Sequence, residues 1–191
     1  KFLKMQIHPH FLFNSLNTIY GFALKKKDEA PEMILKLSNL LDYILYQVDK
    51  PKVSLQEEIN HLEDYISLEE MRFHDTLQVS FKKGNINTDV QIAPMLFIPF
   101  LENSFKHGKI VDDKLEIRIN LLVENNMLNF EITNTSEKEE NQRKGIGLEN
   151  IQKRLEMLYP EAHQLKVNEV ENQFKIQLQI KIDGLKTKSD A

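Results

Sequence analysis

The stretch HPHFLFNSLNTIYGFAL, residues 8–24, places an apolar segment of helical spacing behind two histidines that flank a proline. Leu12, Leu16, Ile19 and Ala23 fall on one face of a helix there. PEMILKLSNLLDYILYQV, residues 31–48, repeats the pattern with Met33, Leu37, Leu40, Leu41 and Ile44. It opens on Pro31, where a first-turn proline is tolerated. Only the charged KKKDEA, residues 25–30, separates the two, so the helices are expected to fold back as an antiparallel hairpin. Such a hairpin buries too little surface to stand alone, and pairing with a second copy into a four-helix bundle is the expected remedy.

Working outward, DKPK leads into SLQEEINHLEDYISLEEMRFH, residues 54–74, a third helix opened by a capping box of Ser54 and Glu57. From Leu77 the pattern changes. LQVSFKK alternates as a strand, and APMLFIPFLENSFKHG, residues 93–108, reads as a helix ended by Gly108. LEIRINLLVENNMLNFEITN reads as a hairpin turning at Asn125 and Asn126. The polar TSEKEENQRKG follows, then a helix from about Leu148 to Leu158, a second hairpin in LKVNEVENQFKIQLQIKI and a tail. The fold class is α+β: a helical hairpin forming a dimeric four-helix bundle, followed by an α/β sandwich. The expected division is a helical region over 1–74, a second domain over 75–183 and a tail over 184–191.

The bulk composition fits a folded protein: 191 residues, 41% hydrophobic and 28% charged. A net charge of −4 argues against a nucleic-acid binder. With no cysteine there is neither a disulfide framework nor a thiolate metal site. No apolar run approaches the roughly 20 residues that cross a bilayer. No signal peptide is visible, and KFLKMQIHPHF reads as the middle of a longer chain whose upstream part is missing.

Three stretches carry chemistry. In FLENSFKHG, Asn103 and His107 lie one helical turn apart, with Glu102 beside Asn103 and Lys106 on the adjacent flank. An amide oxygen and a carboxylate suit a hard cation such as Mg²⁺, although a solvated helix end has the same composition. In KGIGLENIQKRLEMLYP, Gly145 and Gly147 precede a helix whose first N–H groups can approach phosphate. An ordinary N-terminal turn accounts for those glycines equally well. In the opening stretch, His8 and His10 diverge on a helix and cannot share a metal ion there, whereas on a strand they could. Pro9 should kink the helix and leave the His10 ring clear, with Asn14 one turn on placed to bond one ring nitrogen. The alternative is a helix-entry histidine covered by the bundle.

Together and in this order, QIHPHFLFNSLNTI, PFLENSFKHG and GIGLENIQKRLEMLYP resemble the phosphoacceptor motif, N box and glycine box of LytS/YehU-type sensor histidine kinases. VSLQEEINHLEDYISLEEMRF and LSNLLDYIL match in between, and the resemblance covers residues 4–182. It implies a GHKL-type, Bergerat ATP-binding domain and an ATP-dependent protein-histidine kinase of a two-component system. His10 would accept the γ-phosphoryl group, with Asn14 orienting it. Asn103 would hold Mg²⁺ with Glu102 assisting, and Lys106 and His107 would lie near phosphate and nucleotide. Gly145 and Gly147 would end the lid, with Leu148, Asn150 and Arg154 in the same motif. The implied partners are a second copy and a response regulator. The chain would be the cytoplasmic part of an inner-membrane sensor.

Three positions depart from the pattern. Phe11 stands where many histidine kinases carry an acid, so the ring proton goes to Glu102, to a residue outside these motifs, or is not taken by a base at all. Pro99 replaces the glutamate that activates water in gyrase-like ATPases, which disfavours hydrolysis. Asn134 stands in the adenine-reading Asp-x-Gly box, whose glycine is absent. An amide accepts from an exocyclic amine without a carboxylate's charge assistance. The alternative is a degenerate kinase that acts as a dimeric partner-binding scaffold.

Overall fold

A computed structural model describes residues 9–47, 49–84, 86, 90–136, 146–170 and 172–182. Helices α1 (Pro9–Leu24) and α2 (Glu29–Tyr46) form the hairpin, and α3 (Leu55–Phe73) packs against both. The start of α3 is fixed by the capping box. Ser54 Oγ accepts from the Glu57 N–H at 3.1 Å, and Glu57 Oε2 accepts from the Ser54 N–H at 3.0 Å. Two paired residues just before α3, β1 (Val53–Ser54), ladder antiparallel to β3 (Gln91–Ile92). The link into α3 is thereby stitched to the approach of the following helix.

The remaining strands form one mixed sheet in the order β2-β4-β5-β7-β6. They are β2 (Leu77–Gly84), β4 (Leu115–Glu124), β5 (Met127–Thr135), β6 (His163–Val170) and β7 (Gln173–Lys181). The β2–β4 pair is parallel, joined by a crossover that contains α4 (Ile98–His107); the other pairs are antiparallel. Ile117, Ile119, Leu121, Leu128, Phe130, Ile132, Ile176, Leu178 and Ile180 point to the face that carries the core. Alternation places Glu116, Arg118, Asn120 and their neighbours on the other face. Asn125 and Asn126, at φ 50 and 60, make the β4–β5 turn in the left-handed conformation that asparagine tolerates.

Two differences from the sequence reading have physical causes. The buried stripe of α1 is Phe11, Ser15, Ile19 and Phe22, whereas Leu16 and Ala23 are exposed. Apolar residues occupy both sides of this helix, so periodicity alone misassigns the inner one. Helix α4 begins at Ile98 rather than near Ala93, because Met95 adopts φ 56 and Pro99 then occupies the first turn. Gly108 ends the helix as expected, at φ −63. Its need for no side chain is steric: a Cβ there would lie 2.5 Å from Leu115 Cδ1 and 2.5 Å from the Ser104 carbonyl oxygen. Helix α5 (Ile146–Leu158) matches its expected span. Any kink on the N-terminal side of Pro9, and Gly145 with the preceding polar stretch, lie outside the described residues.

Candidate functional site

His10 is exposed in the first turn of α1. Asn14, one turn on, places Nδ2 3.1 Å from His10 Nδ1. Phe11, the neighbour that stands in the place of an acid, is buried and stacks on Tyr65 of α3, with ring centroids 4.3 Å apart. Tyr65 and Phe73 of α3 both meet Phe105 of α4, at 6.0 and 6.2 Å between centroids. An aromatic chain thus runs from the residue beside His10 to the helix that carries Asn103. A base at position 11 would have faced this core, away from the ring it had to serve.

The α4 side chains converge with two other elements. Glu102, Asn103 and Ser104 are buried near the middle of α4, while Lys106 and His107 are exposed at its end. A Cβ built on Gly147 of α5 would lie 3.5 Å from Asn103 Oδ1, so the glycine keeps the space beside that oxygen open. Leu148 is half-buried and Asn150 exposed in the first turn of α5. On β5, Asn134 is buried, donates from Nδ2 to the Thr135 carbonyl at 3.0 Å, and lies 3.5 Å from the Cβ position of Gly108. Asn103, Gly147, Gly108 and Asn134 are therefore gathered around α4. An amide oxygen opposite the first turn of a helix is chemically suited to a hard cation that would sit near phosphate.

Arg154, on α5, reaches the backbone that leads into α4. Its terminal nitrogens donate to backbone carbonyls, Nη1 to Met95 at 2.8 Å and Nη2 to Pro94 at 2.5 Å.

Several charged or polar residues that sequence reasoning passed over are deeply placed. Glu58 and Glu69 of α3 are each 2% exposed. Both stand in phase with the apolar stripe Leu55, Ile59, Leu62 and Ile66, which is the signal that could have found them. Burial raises the carboxyl of Glu69 to about 7 against the opposing pull of Arg72, which is ion-paired with it. Burial likewise raises Glu58, against hydrogen bonds from Tyr43 and the backbone. Tyr65, between α1 and α4, is pushed up by burial and then by the nearby Glu102 and Glu69.

Comparison with known proteins shows what the chain is similar to. Residues 1–77 match the family model for histidine kinase. The fold is similar to the histidine kinase domain of the blue-light activated histidine kinase EL346 from Erythrobacter litoralis. That match has a TM-score of 0.55 at 12% identity and covers 92% of this chain and 96% of that one. It is also similar to histidine kinase ThkA in complex with response regulator protein TrrA, at TM-score 0.50 and 14% identity, over 90% of this chain and 59% of that one. The architecture is an α+β fold similar to that of these histidine kinase structures.

In sequence the chain is similar to sensor histidine kinases of the LytS type. It is 28% identical over 182 residues to sensor protein LytS of Oceanobacillus iheyensis, covering 86% of this chain and 31% of that protein. The chain thus spans about a third of the length of this relative. Among the described residues, no helix is long and apolar enough to cross a membrane.

Proposed function

We propose that this chain is the kinase core of an ATP-dependent, two-component protein-histidine kinase. The observation that carries the reading is the convergence of Asn103 Oδ1 with the open start of α5 at Gly147, together with an exposed, amide-tethered His10. Asn103, with Glu102 beside it, supplies the oxygen donors for Mg²⁺, which when bound would neutralise charge on the phosphates. Lys106 and His107, exposed at the end of α4, flank the phosphates, and Gly147, Leu148 and Asn150 form the approach to them. Arg154 serves the same motif from behind, through the backbone it holds.

In the transfer, the Nε2 lone pair of His10 forms a bond to the γ-phosphorus as the bond to the bridging oxygen breaks and ADP leaves. The positive charge left on the ring is relieved by loss of the Nδ1 proton, for which Glu102 is the candidate acceptor. Asn14, one turn from the ring at Nδ1, serves the transfer with its amide turned so that Oδ1 accepts from Nδ1–H and the Nε2 lone pair faces outward. Pro99 occupies the first turn of α4 and offers no group to polarise water, so transfer outruns hydrolysis.

The functional unit is a homodimer. Phe13, Leu16, Tyr20 and Leu24 of α1, with Ile34, Leu35, Leu45 and Tyr46 of α2, leave an exposed apolar surface on the hairpin. That is what a four-helix bundle would cover. The division at 74/75 separates dimerisation and phosphoacceptor region from ATP-binding domain. The phosphoryl group passes to a response regulator, and the chain works on the cytoplasmic side of a membrane sensor.

Incubation with Mg²⁺ and γ-labelled ATP should yield acid-labile label on the wild type and none on His10→Ala. Label that survives in the variant removes His10 from the mechanism. The second reading, a scaffold with weak or no turnover, draws on Asn134, whose amide stands buried where a carboxylate would read adenine. It is supported instead if the wild type binds no ATP.

A further inference from the structure

Behind the candidate site, two charged side chains hold one short piece of backbone. Glu58, on α3, accepts from the Met95 N–H at 2.6 Å through Oε1 and from the Leu96 N–H at 2.9 Å through Oε2. Arg154, on α5, donates to the carbonyls of Pro94 and Met95. The Pro94 carbonyl and the Met95 N–H belong to one peptide unit, and the Met95 carbonyl and the Leu96 N–H to the next. A carboxylate therefore grips the N–H ends and a guanidinium the C=O ends of two consecutive peptide units. Met95, at their centre, is buried at φ 56, a backbone region that a methionine seldom adopts. Tyr159, at the end of α5, adds a third tie by accepting from the Ala93 N–H at 2.7 Å.

This clamp lies between the parts that have to be in register. The 94–96 segment runs directly into α4 and Asn103, and the helix that supplies Arg154 begins at Gly147, beside Asn103 Oδ1. The clamp is also connected to the hairpin. The Tyr43 hydroxyl, on α2, donates to Glu58 Oε1. The Tyr43 ring is buried and stacks on His61 at 3.8 Å between centroids. A buried carboxylate that loses a donor must find another or move. A displacement of α2 is thus transmitted to Glu58 through this hydrogen bond.

We propose that Glu58 is a positioning residue for phosphoryl transfer, and that Tyr43 couples the hairpin through it to the backbone that sets α4 against α5. The role rests on the kinase reading above, in which Asn103 and Gly147 face the phosphates. The coupling reaches no nucleotide-contacting atom directly. Losing it alters how often the two helices stand in transfer geometry more than how tightly nucleotide is held.

Tyr43→Phe removes one oxygen and keeps the stacked ring. In the nucleotide-free variant, amide hydrogen exchange at Met95, Leu96 and the first turn of α5 should quicken roughly tenfold, while exchange in β4 and β5 stays unchanged. With Mg-ATP, nucleotide affinity should remain within about twofold while labelling of His10 slows roughly tenfold. Glu58→Gln, which sets an NH₂ group against a backbone donor, should quicken exchange at Met95 and Leu96 further.

Unchanged exchange at Met95 and Leu96 in Tyr43→Phe overturns the coupling. So does a loss of nucleotide affinity as large as the loss of labelling rate, which would mark a merely structural tie. If Glu58→Gln does not fold, Tyr43→Phe alone decides. A wild type that never labels His10 refutes the kinase reading but not the coupling, because the exchange arm needs neither nucleotide nor turnover.

Discussion

Asn14 Nδ2 lies 3.1 Å from His10 Nδ1, one turn along α1, and so the side-chain amide governs which ring nitrogen carries the proton. With the NH₂ group toward the ring, Nδ1 accepts and the proton sits on Nε2. With the amide turned half-way round, Oδ1 accepts from Nδ1–H and the Nε2 lone pair is bared. Replacing the amide by a pure acceptor forces the second state. Asn14→Asp should shift the His10 tautomer toward Nδ1–H by ¹⁵N NMR and retain labelling, whereas Asn14→Ala should lower labelling roughly tenfold. Identical tautomer populations in all three proteins would show that the amide does not steer the ring.

Asn103 and Gly147 meet closely enough that a single methyl group tests their shared role. Gly147→Ala brings a Cβ to 3.5 Å from Asn103 Oδ1, an ordinary contact that costs little stability but fills the open side of the oxygen. Mg-dependent ATP binding should weaken in Gly147→Ala and vanish in Asn103→Ala, with melting temperatures within a few degrees of the wild type. Calorimetric titration showing undiminished Mg-ATP affinity in Asn103→Ala would place the metal elsewhere.

Glu69 gives the protein a pH-dependent stability of definite sign. Its carboxyl is raised from 4.5 to about 7, so between these values the folded state holds a proton that the unfolded chain releases. The contribution is complete below about 4.5 and is lost as the pH rises toward 7, with a slope of at most about 1.4 kcal/mol per pH unit. Urea unfolding of Glu69→Gln should show a flatter fall in stability over that window than the wild type. Parallel curves would mean that the group titrates alike in both states.

The uncovered side of the hairpin predicts the oligomeric state. Tyr20 and Leu24 are each 65% exposed on α1. A charge there should abolish pairing at little cost to the monomer's core. Sedimentation of Tyr20→Glu with Leu24→Glu should give a monomer where the wild type gives a dimer. A dimer in both would mean that the interface lies on another face.

Much of this architecture was legible because short-range chemistry dictates it. The Ser54–Glu57 box, the Asn125–Asn126 turn and the alternation of β4 and β5 each signal themselves within a few residues. What was illegible depends on distant partners. Phe13 and Leu16 look as core-like as Phe11, and only the position of α3 decides which side is covered. The left-handed Met95 carries no local mark at all, since its conformation is held by Glu58 from 37 residues upstream and by Arg154 from 59 downstream. The candidate site was legible in its donor types. The backbone grip of Arg154 and the burial of Glu58 and Glu69 required the fold.

The grip on Pro94–Leu96 also bears on how this protein can be dissected or recombined. A fragment cut at 74/75 strands Glu58 on one piece and the N–H groups it satisfies on the other, leaving each half with unmet polar groups that were never meant to see water. Hybrid sensors that join this hairpin to a foreign nucleotide domain therefore inherit a carboxylate without its receptor unless the junction is moved ahead of α3, and preferably ahead of Tyr43.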